Sequence, residues 1–255
     1  MKFHNFSFVF LALLATSAHA FDFGGLKEKL NSLENAPAQN AAPSANPSAL
    51  ANFSNKDQVG GLKQALTQGA ETAVADLSKE NGFLGNDKVR IPLPGSLQKA
   101  GDLMHTLGMG KYSDELVTSM NRAAEAAVPE AKTLLVGAVK NMSVSDAKGI
   151  LMGGNDAATQ YFRKNTETAL SAKFKPIVAN SMQKVKLAEK YDQFAGKGAQ
   201  MGLVDQRDAN LDDYITRKAM DGLFLMMAEQ EKAIRANPMQ AVGSLAQKVF
   251  SAVKF

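Results

Sequence analysis

The chain has 255 residues, 45% of them apolar and 7% aromatic, with no cysteine and no tryptophan. Without cysteine there are no disulfides, no thiolate metal sites and no thiol nucleophile, so stability must come from a core of Ala, Leu, Val, Met and Phe. A net charge of +4 over this length is a mild solubility feature and gives no basis for a nucleic-acid surface.

Residues 1–20 read as a targeting signal. Lys2 supplies the positive start, Phe6 to Ala15 an apolar stretch of roughly ten residues, and Ala18-His19-Ala20 the small residues of a cleavage site. The stretch is too short for a transmembrane span of about twenty residues. The expectation is cleavage near Ala20 and a periplasmic or secreted product. Residues 21–56 follow as a short helix and a flexible Ala/Pro/Asn/Ser linker carrying Pro37, Pro43 and Pro47. "GGLKEKL" at Gly24 recurs as "GGLKQAL" at Gly60, which a common amphipathic helix start after glycine explains better than a duplicated binding motif.

Residues 57–255 are expected to form a single helical domain. A first helix spans 57–80, with Val59, Leu62, Leu66, Ala70, Val74 and Leu77 on one stripe. "KVRIPLPG" then alternates Val89, Ile91 and Leu93 with Arg90, Pro92 and Pro94. Proline excludes a helix there, and a lone hairpin with Phe83 and Leu84 would be marginal, so residues 88–94 are expected to be an extended strap over the helices. Ser96 is expected to cap a short helix to about Leu107. The stretch from Tyr112 to Met142 has clean helical spacing, kinked or split at Pro129. Ser143 and Asp146 suggest a capping box, and Asn155 an N-cap for the segment beginning at Asp156. Pro176 suggests the first turn of another helix running towards Gly196. Leu211 to Ala236 form the longest uninterrupted helix, and Asn237-Pro238 separates it from a last amphipathic one ending at Phe255. The fold class is therefore all-α: a compact bundle of about eight helices with one Pro-containing strap.

Four stretches, "NGFLGNDKVRIPLPGSL", "MNRAAEAA", "GGNDAATQYFR" and "LDDYITRKAMDGLF", together resemble the bacterial domain-of-unknown-function family 4197 over roughly residues 57 to 253. The resemblance implies an exported, mainly helical domain and no particular reaction.

Catalytic hardware is sparse. Outside the signal the one histidine is His105, with no acid at a telling spacing, so it reads as a structural or surface residue. Asp208, Asn210 and Asp212 match the start of an EF-hand loop, but the glycine position holds Asp213 and the final glutamate position Ala219. "MGGNDAAT" exposes backbone amides that attract an anion, although Asn155 can cap them itself. No cofactor or metal is expected.

The helix at Leu211 is the most informative. Leu211, Ile215, Ala219, Gly222, Met226 and Ala233 share a face at about 100° per residue, with Asp213, Arg217 and Asp221 opposite as an i, i+4 ladder. "GLFLMMA" is apolar all round, which makes the helix central. Glu229 falls on the Leu211 face and would then need a partner, with Lys218, Arg122 and Arg163 as candidates. "MNRAAE" places Arg122 and Glu125 away from its own Ala stripe, and Tyr161 and Arg163 follow the Gly153-Gly154 turn. The candidate ligand-binding residues are therefore Arg122, Glu125, Tyr161, Arg163, Asp213, Arg217, Asp221 and Glu229, converging on a partly polar pocket. The stripe of Val242, Leu245, Val249 and Val253 reads as core packing and not as membrane-surface contact.

The leading expectation is a non-enzymatic envelope protein that binds a protein partner or a small amphiphilic ligand, with Met104, Met120, Met226 and Met227 as adaptable walls. The alternative is a carboxylate-dependent enzyme with its site around residues 211–236 and Glu229 or Asp213 as general base.

Overall fold

Ser54 starts the first helix by accepting the Asp57 amide on its hydroxyl at 3.1 Å, and α1 runs Asn55–Leu77. The computed structural model describes residues 50–185, 188–189, 191–192, 199–200, 202 and 205–253, without the side chains of Ser96, Ala100 and Met104. The expected signal, the arm helix and nearly all of the linker lie outside these residues. The helices that follow are α2 (Gly95–Thr106), α3 (Lys111–Ala127), α4 (Ala131–Asn141), α5 (Val144–Met152), α6 (Ala157–Met182), α7 (Leu211–Ala236) and α8 (Ser244–Ala252). No β-strand occurs among the described residues, which belong to one compact unit spanning 42–255. The chain is all-α.

Long apolar stripes decide which helices are central. On α1, Leu62, Ala65, Leu66, Ala70, Ala73, Val74 and Leu77 are buried at helical spacing. They pack against α7, α4, α5 and α8, while α6 packs on α3, α4 and α7. Gly61 sets the approach of α8: a Cβ there would lie 2.9 Å from Val249 Cγ2 and 3.0 Å from the Leu245 carbonyl oxygen. The C-terminal stripe is thus core, with Val249 and Val253 buried and Leu245 packed against it, while Val242 lies exposed in the preceding turn.

Residues 87–89 form a turn, because the Asn86 carbonyl accepts the amides of both Val89 and Arg90. The extended run therefore begins at Arg90 and not at Lys88. The expected alternation holds as far as Leu93: Val89, Ile91 and Leu93 are buried and Arg90 and Pro92 exposed, whereas Pro94 at the start of α2 is buried too. The strip is not part of any ladder, so side chains satisfy its backbone. Asn121 of α3, fully buried, accepts the Ile91 amide on Oδ1 at 2.8 Å and donates from Nδ2 to the Ile91 carbonyl at 2.9 Å. Tyr214 Oη donates to the Pro92 carbonyl at 3.1 Å, and burial pushes the Tyr214 hydroxyl up to about 12, with Asp208 adding to the rise. Phe83 and Val89 sit on α7 where it has no side chain: a Cβ on Gly222 would come within 2.7 Å of Phe83 Cε1 and 3.3 Å of Val89 Cβ.

Several expected boundaries move. Helix α2 begins at Gly95 with Pro94 in the cap position and no side-chain cap, so Ser96 is inside the helix. Pro129 splits the next stretch as expected, through a 3-10 turn over Val128–Glu130. The Ser143–Asp146 capping box forms with both of its bonds. At α6 the cap position is Asp156, with no side-chain capping bond, and not Asn155. Pro176 starts no new helix, because α6 passes straight through it. Leu170, Phe174, Val178 and Met182 continue one buried stripe on both sides of the proline, and that packing outweighs the roughly 3 kcal/mol cost of an interior proline. Helix α7 has the expected bounds, while α8 ends at Ala252, with residues 254–255 outside the described set.

Candidate functional site

One cavity among the described residues reaches the core, and it is small. A cavity of about 20 Å3 lies among Leu66, Phe162, Met227 and Phe250, beside Glu231 and Arg235, which is room for about one water. Met120 and Met227 fill the core instead of walling a chamber.

A more open site lies where the strip meets α2 and α3. The groove there measures about 240 Å3. Pro92 and Leu93 from the strip and Val117 from α3 give it an apolar lining. Gly101 lets α2 lie close, since a Cβ there would be 2.8 Å from Leu93 Cδ1. Arg90 rises from the strip, Gln98 and Asp102 from α2, and His105 and Asp114 stand at the α2–α3 end. Neither Arg90 nor Asp102 has an ion-pair partner among the described residues.

An acid does reach His105. Its Nε2 lies 3.2 Å from Ser113 Oγ and 3.2 Å from Asp114 Oδ1. The three residue types suggest a nucleophilic triad, but the geometry does not support one. A triad base takes the serine proton on one ring nitrogen and donates to the acid from the other, whereas here both oxygens meet Nε2. Ser113 is buried and donates its own proton to the Gly110 carbonyl at 2.7 Å. The cluster ties the end of α2 to α3.

Over residues 52–251 the chain matches a family model described as "Protein of unknown function (DUF4197)". The chain belongs to this family. No curated protein and no solved structure matches it. The stretches that carry the family resemblance turn out to be bound to one another. Asn121 and Glu125 of "MNRAAEAA" hold "NGFLGNDKVRIPLPG": Glu125 Oε1 accepts the Phe83 amide at 3.0 Å and the Leu84 amide at 3.2 Å, alongside the Asn121 clamp on Ile91. Arg163 of "GGNDAATQYFR" pairs with Asp221 of "LDDYITRKAMDGLF" at 3.1 Å, with its guanidinium 4.6 Å from the Phe224 ring centre. Within this family member, those residues join elements.

The expected convergent pocket does not form among the described residues. Arg122 pairs with Glu125 at 2.6 Å and reaches Glu80 at 3.1 Å and Asn81 at 2.9 Å, next to the turn where Asn81 takes φ 65°. Tyr161 donates to the Ala138 carbonyl at 3.0 Å, and burial, then Asp146, raises its hydroxyl. The ladder on α7 does not close on itself, because each member turns to another element. Asp213 pairs with Lys175 at 2.7 Å, Arg217 with Asp208 and the Arg207 carbonyl, and Asp221 with Arg163. Arg163 and Asp221 alone share an open groove, of about 400 Å3.

Glu229 is half-exposed and pairs with Lys88 at 2.5 Å, not with Lys218, Arg122 or Arg163. The Lys88 hydrogen bond holds its carboxyl below the ordinary range, the wrong direction for a general base. The buried acid is Glu231. At about 100° per residue Glu229 returns to the direction of Leu211, but the buried side of α7 has by then swung round to Met227, Glu231 and Ile234. Glu231 pairs with the buried Arg235 at 2.8 Å and accepts the amides of Ala158 and Thr159, each at 3.0 Å. It therefore caps α6 from another helix. The anion that "MGGNDAAT" attracts is a carboxylate of the chain itself.

The EF-hand-like acids are used likewise. Asn210 Oδ1 caps α7 by accepting the Asp213 amide at 2.9 Å, and Asp208 takes Arg217. No group of metal-ligating side chains large enough to hold an ion occurs among the described residues, and no helix there is long and apolar enough to cross a membrane.

The sequence reading missed Arg90, Asp102 and Glu231. For Glu231 and Arg235 a signal existed, since the pair sits at i, i+4 on the Met227–Ile234 stripe. For the groove there was none, because its walls come from the strip, α2 and α3 and form one site only through tertiary packing.

Proposed function

We propose that this chain is an exported, non-enzymatic binding protein whose ligand occupies the groove between the residue 90–93 strip, α2 and α3. In this reading residues 88–94 act as a strap whose buried side holds the bundle and whose exposed side is a wall of the site. Export rests on Lys2, the apolar run Phe6 to Ala15 and Ala18-His19-Ala20, a pattern that supports a periplasmic or secreted product. The observation that carries the binding reading is the groove: an apolar lining beside two charged side chains that no described residue neutralises, in a domain whose core has room for about one water. An amphiphile enclosed in the core does not fit that volume, so the small-ligand reading moves to this surface site.

A protein partner is the second reading. Leu103, Leu107, Met109 and Tyr112 are exposed by 59%, 61%, 46% and 60%, all at the α2–α3 corner, a concentration of apolar surface of the kind interaction sites use.

Native mass spectrometry of the full chain, purified from the envelope of cells that export it, tests the proposal. A retained small-molecule mass that disappears in a Val117→Trp variant with an unchanged circular dichroism spectrum supports the groove. A mass retained equally by both proteins, or a bound protein that is lost on Leu103→Gln and Leu107→Gln substitution instead, overturns it.

A further inference from the structure

The groove's charges are arranged in a way that selects a ligand. Arg90 lines the groove from the strip and Asp102 lines it from α2, and no ion pair joins them. Each is held by its backbone: Arg90 by its amide bond to Asn86 and by the Asn121 clamp on the next residue, Asp102 by its place within α2. The other titratable groups lining the groove are His105 and Asp114, and these are occupied with one another. Pro92, Leu93 and Val117 also line the groove, as does Gln98, whose side-chain amide has no hydrogen-bond partner among the described residues.

We infer that the groove binds a small zwitterion with an apolar body, of the short-peptide class: a carboxylate on Arg90, an ammonium on Asp102, the peptide amide against Gln98 and an apolar side chain on Leu93 and Val117. This rests on the groove being the binding site. The charge pattern supports it by elimination. An anion alone would leave Asp102 without a partner, and a cation alone would leave Arg90 without one. A ligand carrying both signs satisfies both walls at once, as charge-assisted hydrogen bonds require. Volume sets the size. The groove's 240 Å3 lies just under the roughly 300–1,000 Å3 of pockets for drug-sized ligands, so a small ligand suits it and a folded segment does not. Gln98 separates a peptide from a simple amino acid, because its amide both donates and accepts and so matches a peptide unit.

Isothermal titration of the full chain with four probes tests the inference: Leu-Leu, N-acetyl-Leu-Leu, Leu-Leu amide, and a short-chain phosphatidylethanolamine as the headgroup zwitterion. The expected result is binding of Leu-Leu, weakened roughly tenfold or more by blocking either end. Arg90→Gln should abolish the preference for a free carboxylate and leave that for the free amine, and Asp102→Asn should do the opposite. Both residues are exposed, so both variants should keep the wild-type unfolding midpoint. Equal affinity for free and capped peptides overturns the inference, as does binding of the phospholipid without Leu-Leu. Binding of none of the four also overturns it. If a Val117→Trp-sensitive mass is still retained in native mass spectrometry, only the ligand class fails, and if none is, the groove reading fails with it.

Discussion

Replacing Asn121 by alanine removes the clamp on the strip and should be among the most costly polar substitutions in the chain. Asn121 and Ile91 are both buried to within 1% of completely, so the Ile91 amide and carbonyl, now bonded at 2.8 and 2.9 Å, would be left without partners away from water. Each stranded group costs about 1–3 kcal/mol. The third bond, from Nδ2 to the Val117 carbonyl, adds little because that oxygen lies within α3. The sum is about 2–6 kcal/mol, a large part of a total stability of roughly 5–15 kcal/mol, or a fall in melting temperature of about 8–16 °C around the middle of that range. Urea unfolding followed by far-UV circular dichroism measures it. Asn121→Asp refines the test: at neutral pH its carboxylate faces the Ile91 and Val117 carbonyls, so the loss should equal or exceed that of alanine. It should shrink as pH falls and the acid gains a proton to donate. A loss under about 1 kcal/mol in Asn121→Ala, or no pH dependence in Asn121→Asp, would refute the clamp.

Further outcomes follow from other close contacts. Gly222→Ala forces a methyl against Phe83 and Val89 and should cost about 1–3 kcal/mol, whereas Gly137→Ala, with nothing within 4 Å of the new carbon, should stabilise α4 by about 0.5–1 kcal/mol. Paired thermal melts compare them. Glu231→Met strands the buried Arg235 charge and should cost about 3–5 kcal/mol. Adding Arg235→Met should recover part of that loss, and faster hydrogen exchange at Ala158 and Thr159 should report the lost cap of α6. Asp212 is raised above its ordinary value by burial first, then by Asp192 and Asp213. A carboxyl raised on folding opposes stability once pH exceeds its unfolded value and is silent below it. Asp212→Asn should therefore raise the melting temperature at pH 7, with the gain fading below about pH 4. A gain that persists at low pH would point to some cause other than ionisation.

Local chemistry made much of the fold legible. The Ser143–Asp146 box, the break at Pro129, the bounds of α7 and the alternation of Val89, Ile91 and Leu93 all follow from residues within one or two turns of each other. The failures share one cause, which is that a distant residue decides the outcome. Asn155 yields its capping role to Glu231, more than seventy positions away. Pro176 is tolerated because the stripe on either side of it is already buried by other helices. Glu229 and Glu231 exchange environments because the neighbours of α7 change along its length. The groove was illegible for the same reason: Arg90, Asp102 and Val117 are unremarkable in sequence, and their meaning comes from the walls they share.

The strip also bears on cross-chain pairing. An extended segment outside any sheet presents a row of amides and carbonyls that a neighbouring chain can copy, the usual seed of cross-chain pairing. Here most of the row is blocked: Pro92 and Pro94 have no amide hydrogen, Ile91 is occupied on both sides by Asn121, the Arg90 amide by Asn86 and the Pro92 carbonyl by Tyr214. Loss of Asn121 would then uncover a short adhesive edge as well as loosen the fold, so fibril formation should accompany the drop in stability.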